Sequence, residues 1–151
     1  MDTIPAFPNQ FPYYELLFQG RLSAKTRTWK WNHTGWTLFY TSKSRIATPV
    51  VRAYRLNADN DEFRDTLGCL VGIGWLLPVR PNTQKEIRRL NREFNNGGPV
   101  YVYAGDYRYE FKPFYRFAKP IPFAAPRGAV TTFKVPVTVV AKELKRVGIK
   151  I

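Results

Sequence analysis

The residues best suited to chemistry form one cluster over residues 21–45, where cationic and aromatic side chains are interleaved. Cations hold phosphate oxygens, and flat rings stack on unpaired bases. In an extended segment Trp29 and Trp31 share one face, because side chains two residues apart point the same way. Such a pair can form one wall of a base pocket, and it can equally cap a hydrophobic core. The cations of the cluster are Arg21, Lys25, Arg27, Lys30, Lys43 and Arg45, and its other rings are Trp36, Phe39 and Tyr40.

The whole chain is strongly basic, with 24 Lys and Arg against 11 Asp and Glu and a formal net charge of +13. Self-repulsion of this size costs stability, and it is tolerated where the partner is an anion. The commonest large anion in a cell is nucleic acid. We therefore expect a DNA or RNA partner. The alternatives are a basic protein whose charge serves only solubility, or a protein from a hot environment with many exposed Lys and Arg.

Metal and cofactor chemistry is not expected. His33 is the only histidine and Cys69 the only cysteine, and they lie far apart in sequence. A zinc site normally needs three or four such ligands. Gly68, Gly72 and Gly74 lie in an apolar run and not in a phosphate-binding loop, so we expect them to permit bulges or close backbone approach.

Cysteine usage and hydropathy predict an intracellular, cytoplasmic protein. One cysteine cannot form an internal disulfide, which favours a reducing compartment. No run reaches the roughly 18 consecutive apolar residues of a membrane-spanning helix. Residues 1–12 lack the basic start and apolar stretch of a signal peptide.

The chain of 151 residues is long enough to close one hydrophobic core. Residues 1–12, with three prolines, are predicted to be an extended N-terminal arm, and residues 13–151 a single domain. Short apolar and aromatic runs broken by Gly, Pro and Asn indicate an α+β fold that is mostly β. The predicted strands cover residues 36–41, 49–54, 68–77, 100–103, 107–117 and 130–141.

One helix is strongly indicated over residues 83–94. Thr83 and Glu86 have the spacing of a capping box, and an apolar stripe at helical spacing follows. Arg88 and Arg92 on its outer face could contact phosphates, although any surface helix carries such charges. A second short helix is predicted within residues 11–21.

The order of these elements resembles the EVE domain, a member of the PUA-like superfamily together with the ASCH and YTH domains. Residues 35–42 (GWTLFYTS) are similar to the EVE strand that ends in an aromatic-x-Ser signature. Residues 70–74 (LVGIG) resemble the glycine-containing strand that follows, and residues 107–123 the late strand that runs into Pro-x-Pro. The resemblance implies a small β-barrel flanked by one to three short helices. It also implies a pocket for a modified or flipped base, built from Trp29, Trp31, Asn32, Tyr40, Thr41 and Ser42 and closed on one side by Trp75.

Three functions are compatible with these patterns. The first is a non-catalytic reader of nucleic acid, such as the specificity module of a modification-dependent restriction or RNA-processing system. The second follows from the resemblance to ASCH amidohydrolases acting on acylated cytidine, which implies chemistry on Lys25, Thr28 and Glu110. The third is a basic structural or interaction protein in a larger complex, which binds nucleic acid without specificity.

Overall fold

A computed structural model describes residues 2–46, 51, 64–94, 107–127 and 131–151. The fold is α+β and mostly β, as predicted. Its elements are β1 (Thr3–Phe11), α1 (Tyr13–Phe18), β2 (Lys25–Arg27), β3 (Gly35–Ile46), β4 (Cys69–Leu76), β5 (Arg80–Pro81), α2 (Gln84–Phe94), β6 (Tyr107–Tyr109), β7 (Phe111–Pro122), β8 (Phe133–Pro136) and α3 (Val137–Val147).

The strands form two sheets. A five-stranded sheet has the order β7-β4-β3-β1-β8, and a three-stranded sheet has the order β2-β6-β5. β1 and β3 run parallel, and every other pair is antiparallel. Within the described residues neither sheet closes on itself, so the predicted barrel is not seen there.

Each face of the five-stranded sheet covers its own core. On one face the three-stranded sheet, α1 and α2 enclose an inter-sheet core that includes Phe7, Phe39 and Tyr109. On the other face α3 covers a helix-side core that includes Leu38 and Val140. Successive residues of β3 alternate between the two cores because strand side chains alternate in direction.

The N-terminal segment is extended, as expected, but it is not an arm outside the domain. β1 pairs with β3 on one side and with β8 on the other. Its Ile4, Ala6 and Phe7 are fully buried. The prolines suggested an arm because proline has no N–H to donate to a neighbouring strand. The apolar residues between them bury enough surface to hold the segment in the sheet.

The other element predictions had mixed outcomes. β3, β4, α1 and α2 lie where they were expected, whereas residues 107–117 divide at Glu110 into two strands of different sheets. The strand predicted over residues 130–141 is wrong beyond Pro136, since α3 starts at Val137. The Val and Thr residues of this segment favour a strand locally. The segment is nevertheless helical, because the helix packs Val140 and Leu144 against the sheet. The strands predicted at 49–54 and 100–103 lie outside the described residues, apart from Val51, which is helical and buried.

The capping box of α2 is confirmed and extends into an ionic network. The Thr83 N–H donates to Glu86 Oε1 at 3.0 Å, and the Glu86 N–H donates to Thr83 Oγ1 at 3.2 Å. Both Glu86 oxygens accept from Arg80 at 2.6 Å, and buried Arg108 lies 3.2 Å away. The hydrogen bonds from Arg80 lower the pKa of Glu86 to about 2.

We expect Glu86→Gln to lower the free energy of unfolding at pH 7 by about 1 kcal/mol, because Arg80 is half exposed and such pairs contribute little. A depressed carboxyl pKa stabilises the fold above pH 4.5 and loses that contribution as the pH falls towards 2. The variant should therefore lose less stability than the parent between pH 7 and pH 3 in urea denaturation. Asp2→Asn is the control for removing an exposed carboxylate. Equal losses in parent and Glu86→Gln would contradict the role given to Glu86.

Candidate nucleic-acid interface

Two aromatic rings flank the first residue of β3. Gly35 has φ of +122°, a conformation that favours glycine. A Cβ built on it would lie 3.7 Å from Trp75 Cη2 and 3.9 Å from His33 Cε1. This end of the sheet is therefore lined by flat side chains from β4 and from the loop before β3.

Three large rings lie on one face of the five-stranded sheet, and we call Trp36, Trp75 and Tyr115 the aromatic surface. Trp36 pairs with Trp75 across β3 and β4, and their rings meet edge to face with centroids 5.2 Å apart. Tyr115 pairs with Ile73, two residues before Trp75, so alternation places it on the same face. Trp75 is 39% exposed and Tyr115 37% exposed, although rings of this size are usually buried.

The segment that carries Trp29 and Trp31 is not a continuous strand, since it bends at Thr28 and Trp29, but both rings pack against the inter-sheet core. The Trp29 ring lies 5.3 Å from Tyr109 and 6.1 Å from Phe7, and the Tyr109 hydroxyl donates to the Trp29 carbonyl at 2.7 Å. The Trp31 ring stacks on Phe7 at 6.1 Å and lies 4.7 Å from His33. Of the two interpretations of this pair, capping the core is the one seen.

The seven residues predicted as a base pocket do not come together. Tyr40 points into the helix-side core, where its hydroxyl donates to the Phe123 carbonyl at 3.1 Å. Thr41 is buried, Ser42 is half-buried and Asn32 is exposed. Trp75 lies on the opposite sheet face from the Trp29 and Trp31 rings. Adjacent strand residues face opposite ways, and the seven residues from Trp36, the partner of Trp75, to Ser42 span about 20 Å. The resemblance therefore joined positions that the sheet separates.

The cations predicted to bind phosphate are spread over several elements. Lys30 and Lys43 are exposed in the loop before β3 and in β3, and Lys25 and Arg27 are half-buried in β2. The side chain of Arg45 lies outside the described residues. Arg21, Arg88 and Arg92 are exposed, the last two on α2.

Sequence reasoning missed several contributors to this end of the sheet. Lys112 is exposed in β7, in the stretch opposite Trp75, between the partners of Gly74 and Leu76. His33 Nε2 lies 3.1 Å from Thr37 Oγ1 and 3.3 Å from the Trp36 carbonyl. Burial lowers the pKa of His33 and so favours the neutral form of its ring. Strand register brings Lys112 opposite Trp75, whereas the loop before β3 places His33 beside Gly35, and no local motif marks either residue.

The catalytic alternative is not supported by the geometry. Lys25 pairs with Tyr109, so the two side chains share the face of the three-stranded sheet that meets the core. The Glu110 carboxylate bonds Arg108 Nε at 3.1 Å, and Arg108 belongs to the opposite face. The implied Lys–Glu pair is therefore separated by the sheet itself.

The described residues contain neither a cluster of metal ligands nor a membrane-spanning helix. No group of three His, Cys, Asp or Glu side chains in the described ranges could hold a metal ion. None of the helices in this part of the chain combines the length and apolar composition needed to cross a membrane.

Comparison with known proteins gives no assignment. No protein-family model matches the chain, and no curated protein is significantly similar to it.

Proposed function

We propose that this chain binds nucleic acid and that unpaired bases stack on the aromatic surface. The observation that carries the proposal is the exposure of Trp75 and Tyr115 on the same face of the sheet, in a chain of net charge +13. Exposed rings at one place commonly mark a binding site. Base–aromatic stacking contributes about 1–3 kcal/mol per base.

In this proposal the positive charge of the protein attracts the phosphates, and the aromatic rings contact the bases. Lys112 is exposed in β7 opposite Trp75, and the other surface cations, Lys30 among them, add a long-range field. Binding should therefore weaken with salt, because each neutralised phosphate releases condensed counterions. Release of counterions carries no base preference, so any preference comes from the rings.

The free energies of stacking and of base flipping favour an already unpaired strand as the ligand over a base flipped out of a duplex. Flipping costs a few kcal/mol, which is comparable to the whole gain from one stacking contact on an open surface. The target in this proposal is single-stranded DNA or RNA, with modified bases distinguished by how well they stack. We further propose that the chain belongs to the PUA-like superfamily and that its two sheets are parts of that superfamily's β-barrel. The three-stranded sheet packs across the inter-sheet core from the five-stranded sheet, which supports this relationship.

The test measures the contribution of Trp75. We expect Trp75→Ala to raise the Kd for a short single-stranded oligonucleotide about tenfold, because a stacking platform is lost. Trp75→Phe should retain most of the affinity. Fluorescence anisotropy at two salt concentrations should show an unchanged salt dependence for Trp75→Ala, because no charge is removed.

Lys43→Ala is the matched control for general electrostatics. It should weaken binding slightly and equally for every base composition. If Trp75→Ala binds as tightly as the parent at both salt concentrations, the aromatic surface is not the binding site. Salt-dependent binding without base preference would then favour the basic structural protein.

A further inference from the structure

Two cations of β2 turn inward and not towards solvent. Lys25 and Arg27 are two residues apart on one strand, so their side chains share a face. Lys25 Nζ lies 5.5 Å from the centre of the Tyr13 ring. The Arg27 guanidinium lies over the Phe7 ring at 5.3 Å. Both side chains are half-buried, so part of each remains accessible to solvent.

No acidic group in the described part of the chain neutralises this pair. The contacts of Arg27 are the Pro8 carbonyl at 2.9 Å, Asn9 Oδ1 at 2.6 Å and the Phe7 ring. The contact of Lys25 is the Tyr13 ring. Burial and the charge of Arg27 lower the pKa of Lys25 to about 8. Each of these contacts leaves the positive charge uncompensated.

A buried hydrogen-bond network holds the Arg27 guanidinium in place. Asn9 is fully buried, and its Nδ2 donates to the Tyr14 hydroxyl at 3.1 Å, which fixes Oδ1 towards Arg27. The Tyr14 hydroxyl in turn donates to the Phe7 carbonyl. Arg27 Nη2 is thereby occupied, whereas Arg27 Nε is buried without a hydrogen-bond partner. An unpaired donor of a charged group costs free energy unless a ligand satisfies it.

We infer that Lys25 and Arg27 form a binding site for a tetrahedral oxyanion of the phosphate class. The anion accepts from the Arg27 guanidinium and from Lys25 Nζ, and it neutralises the two charges. Phosphate suits such a site because it offers several acceptor oxygens and charge-assisted hydrogen bonds are strong.

This site goes beyond the proposed function, because it needs no base and lies on the opposite sheet face from the aromatic surface. The same chemistry has two sources, free phosphate or the terminal phosphate of an oligonucleotide. If the site accepts only the free ion, the protein binds inorganic phosphate. If the site also accepts the terminal phosphate of an oligonucleotide, the protein prefers oligonucleotides with phosphorylated ends.

The experiment measures thermal unfolding in inorganic phosphate against chloride of equal ionic strength. We expect a saturable rise in Tm for the parent, because a ligand that binds only the folded state stabilises it. Lys25→Met should lose most of that rise, with an apparent Kd at least ten times higher. Lys30→Met removes one exposed lysine and should respond like the parent.

A second readout follows the Lys25 Nζ resonance by NMR, and phosphate should raise its titration midpoint. The inference would be overturned if phosphate raised the Tm of the parent and of Lys25→Met equally. It would also be overturned if the titration midpoint of the Lys25 resonance did not change with phosphate. Oligonucleotides with and without a 5′-phosphate, tested on Trp75→Ala, separate the two sources. A phosphate effect that persists in Trp75→Ala supports the anion site even if the aromatic surface proves not to bind bases.

Discussion

Replacing Gly72 by alanine should destabilise the protein by about 3 kcal/mol, the upper range for overpacking a tightly fitted core. A Cβ at this position would lie 2.5 Å from the Tyr115 carbonyl oxygen and 2.7 Å from Phe18 Cζ. The first of these atoms is backbone in the neighbouring strand, so it cannot move without disturbing the β4–β7 pairing. The register of that pairing already shifts between Leu70 and Gly72. The expectation that glycines in this run permit bulges and close approach is confirmed here.

Urea denaturation of the parent and Gly72→Ala at one pH measures this effect. Gly20→Ala is the control, because a Cβ there meets nothing within 4 Å and adds only the strain of a φ of +71°. That strain amounts to about 1 kcal/mol. If Gly72→Ala lowers the free energy of unfolding no more than Gly20→Ala does, then β7 does not approach β4 as closely at this residue as the structure shows.

Lys25→Met should stabilise the protein at pH 7 by up to about 3 kcal/mol, the free-energy equivalent of its pKa shift. The pKa of Lys25 falls from 10.5 to about 8 on folding, because burial and the nearby Arg27 disfavour the charged form. Below pH 8 the folded protein bears the full penalty of a half-buried ammonium group. Between pH 8 and 10.5 the unfolded chain holds more protons than the folded one, so the stability of the parent rises with pH.

Unfolding free energies at pH 7.0, 8.5 and 9.5 in phosphate-free buffer test this second prediction. The parent should gain stability over that range, Lys25→Met should not, and Lys30→Met should follow the parent. The range stops below pH 10 because burial raises the pKa of Tyr109 to about 12. Above pH 10 the unfolded tyrosine ionises first and stability falls. If the free energy of unfolding of the parent does not rise between pH 7 and 9.5, the pKa of Lys25 is not lowered by burial in the folded protein.

Local patterns identified elements whose signals depend on neighbours in sequence. The capping box at Thr83 and Glu86 marks the start of α2 because both hydrogen bonds join residues three apart. The apolar run of β4 predicts a strand covered on both faces, and the structure shows its residues in both cores, apart from the exposed Trp75. The same local reasoning failed at Val137, where β-branched residues form a helix because two of its side chains, Val140 and Leu144, are buried against the sheet.

The candidate site shows the same division between local and tertiary information. Composition alone predicted a basic chain with stacking residues, and spacing alone predicted that Trp29 and Trp31 share a face. Neither could show that this face turns inward, or that Trp75 and Tyr115 form the exposed surface. Those facts depend on the register of β3, β4 and β7, which is set by contacts between residues far apart in sequence.

The sequence by itself therefore determined the charge of this protein, its mostly-β class and the start of α2. Only the tertiary structure decided which aromatic residues meet solvent and which cations, Lys25 and Arg27, turn inward. The physical reason is that the free energy of burial depends on what lies across the core, and pairing between distant strands decides that.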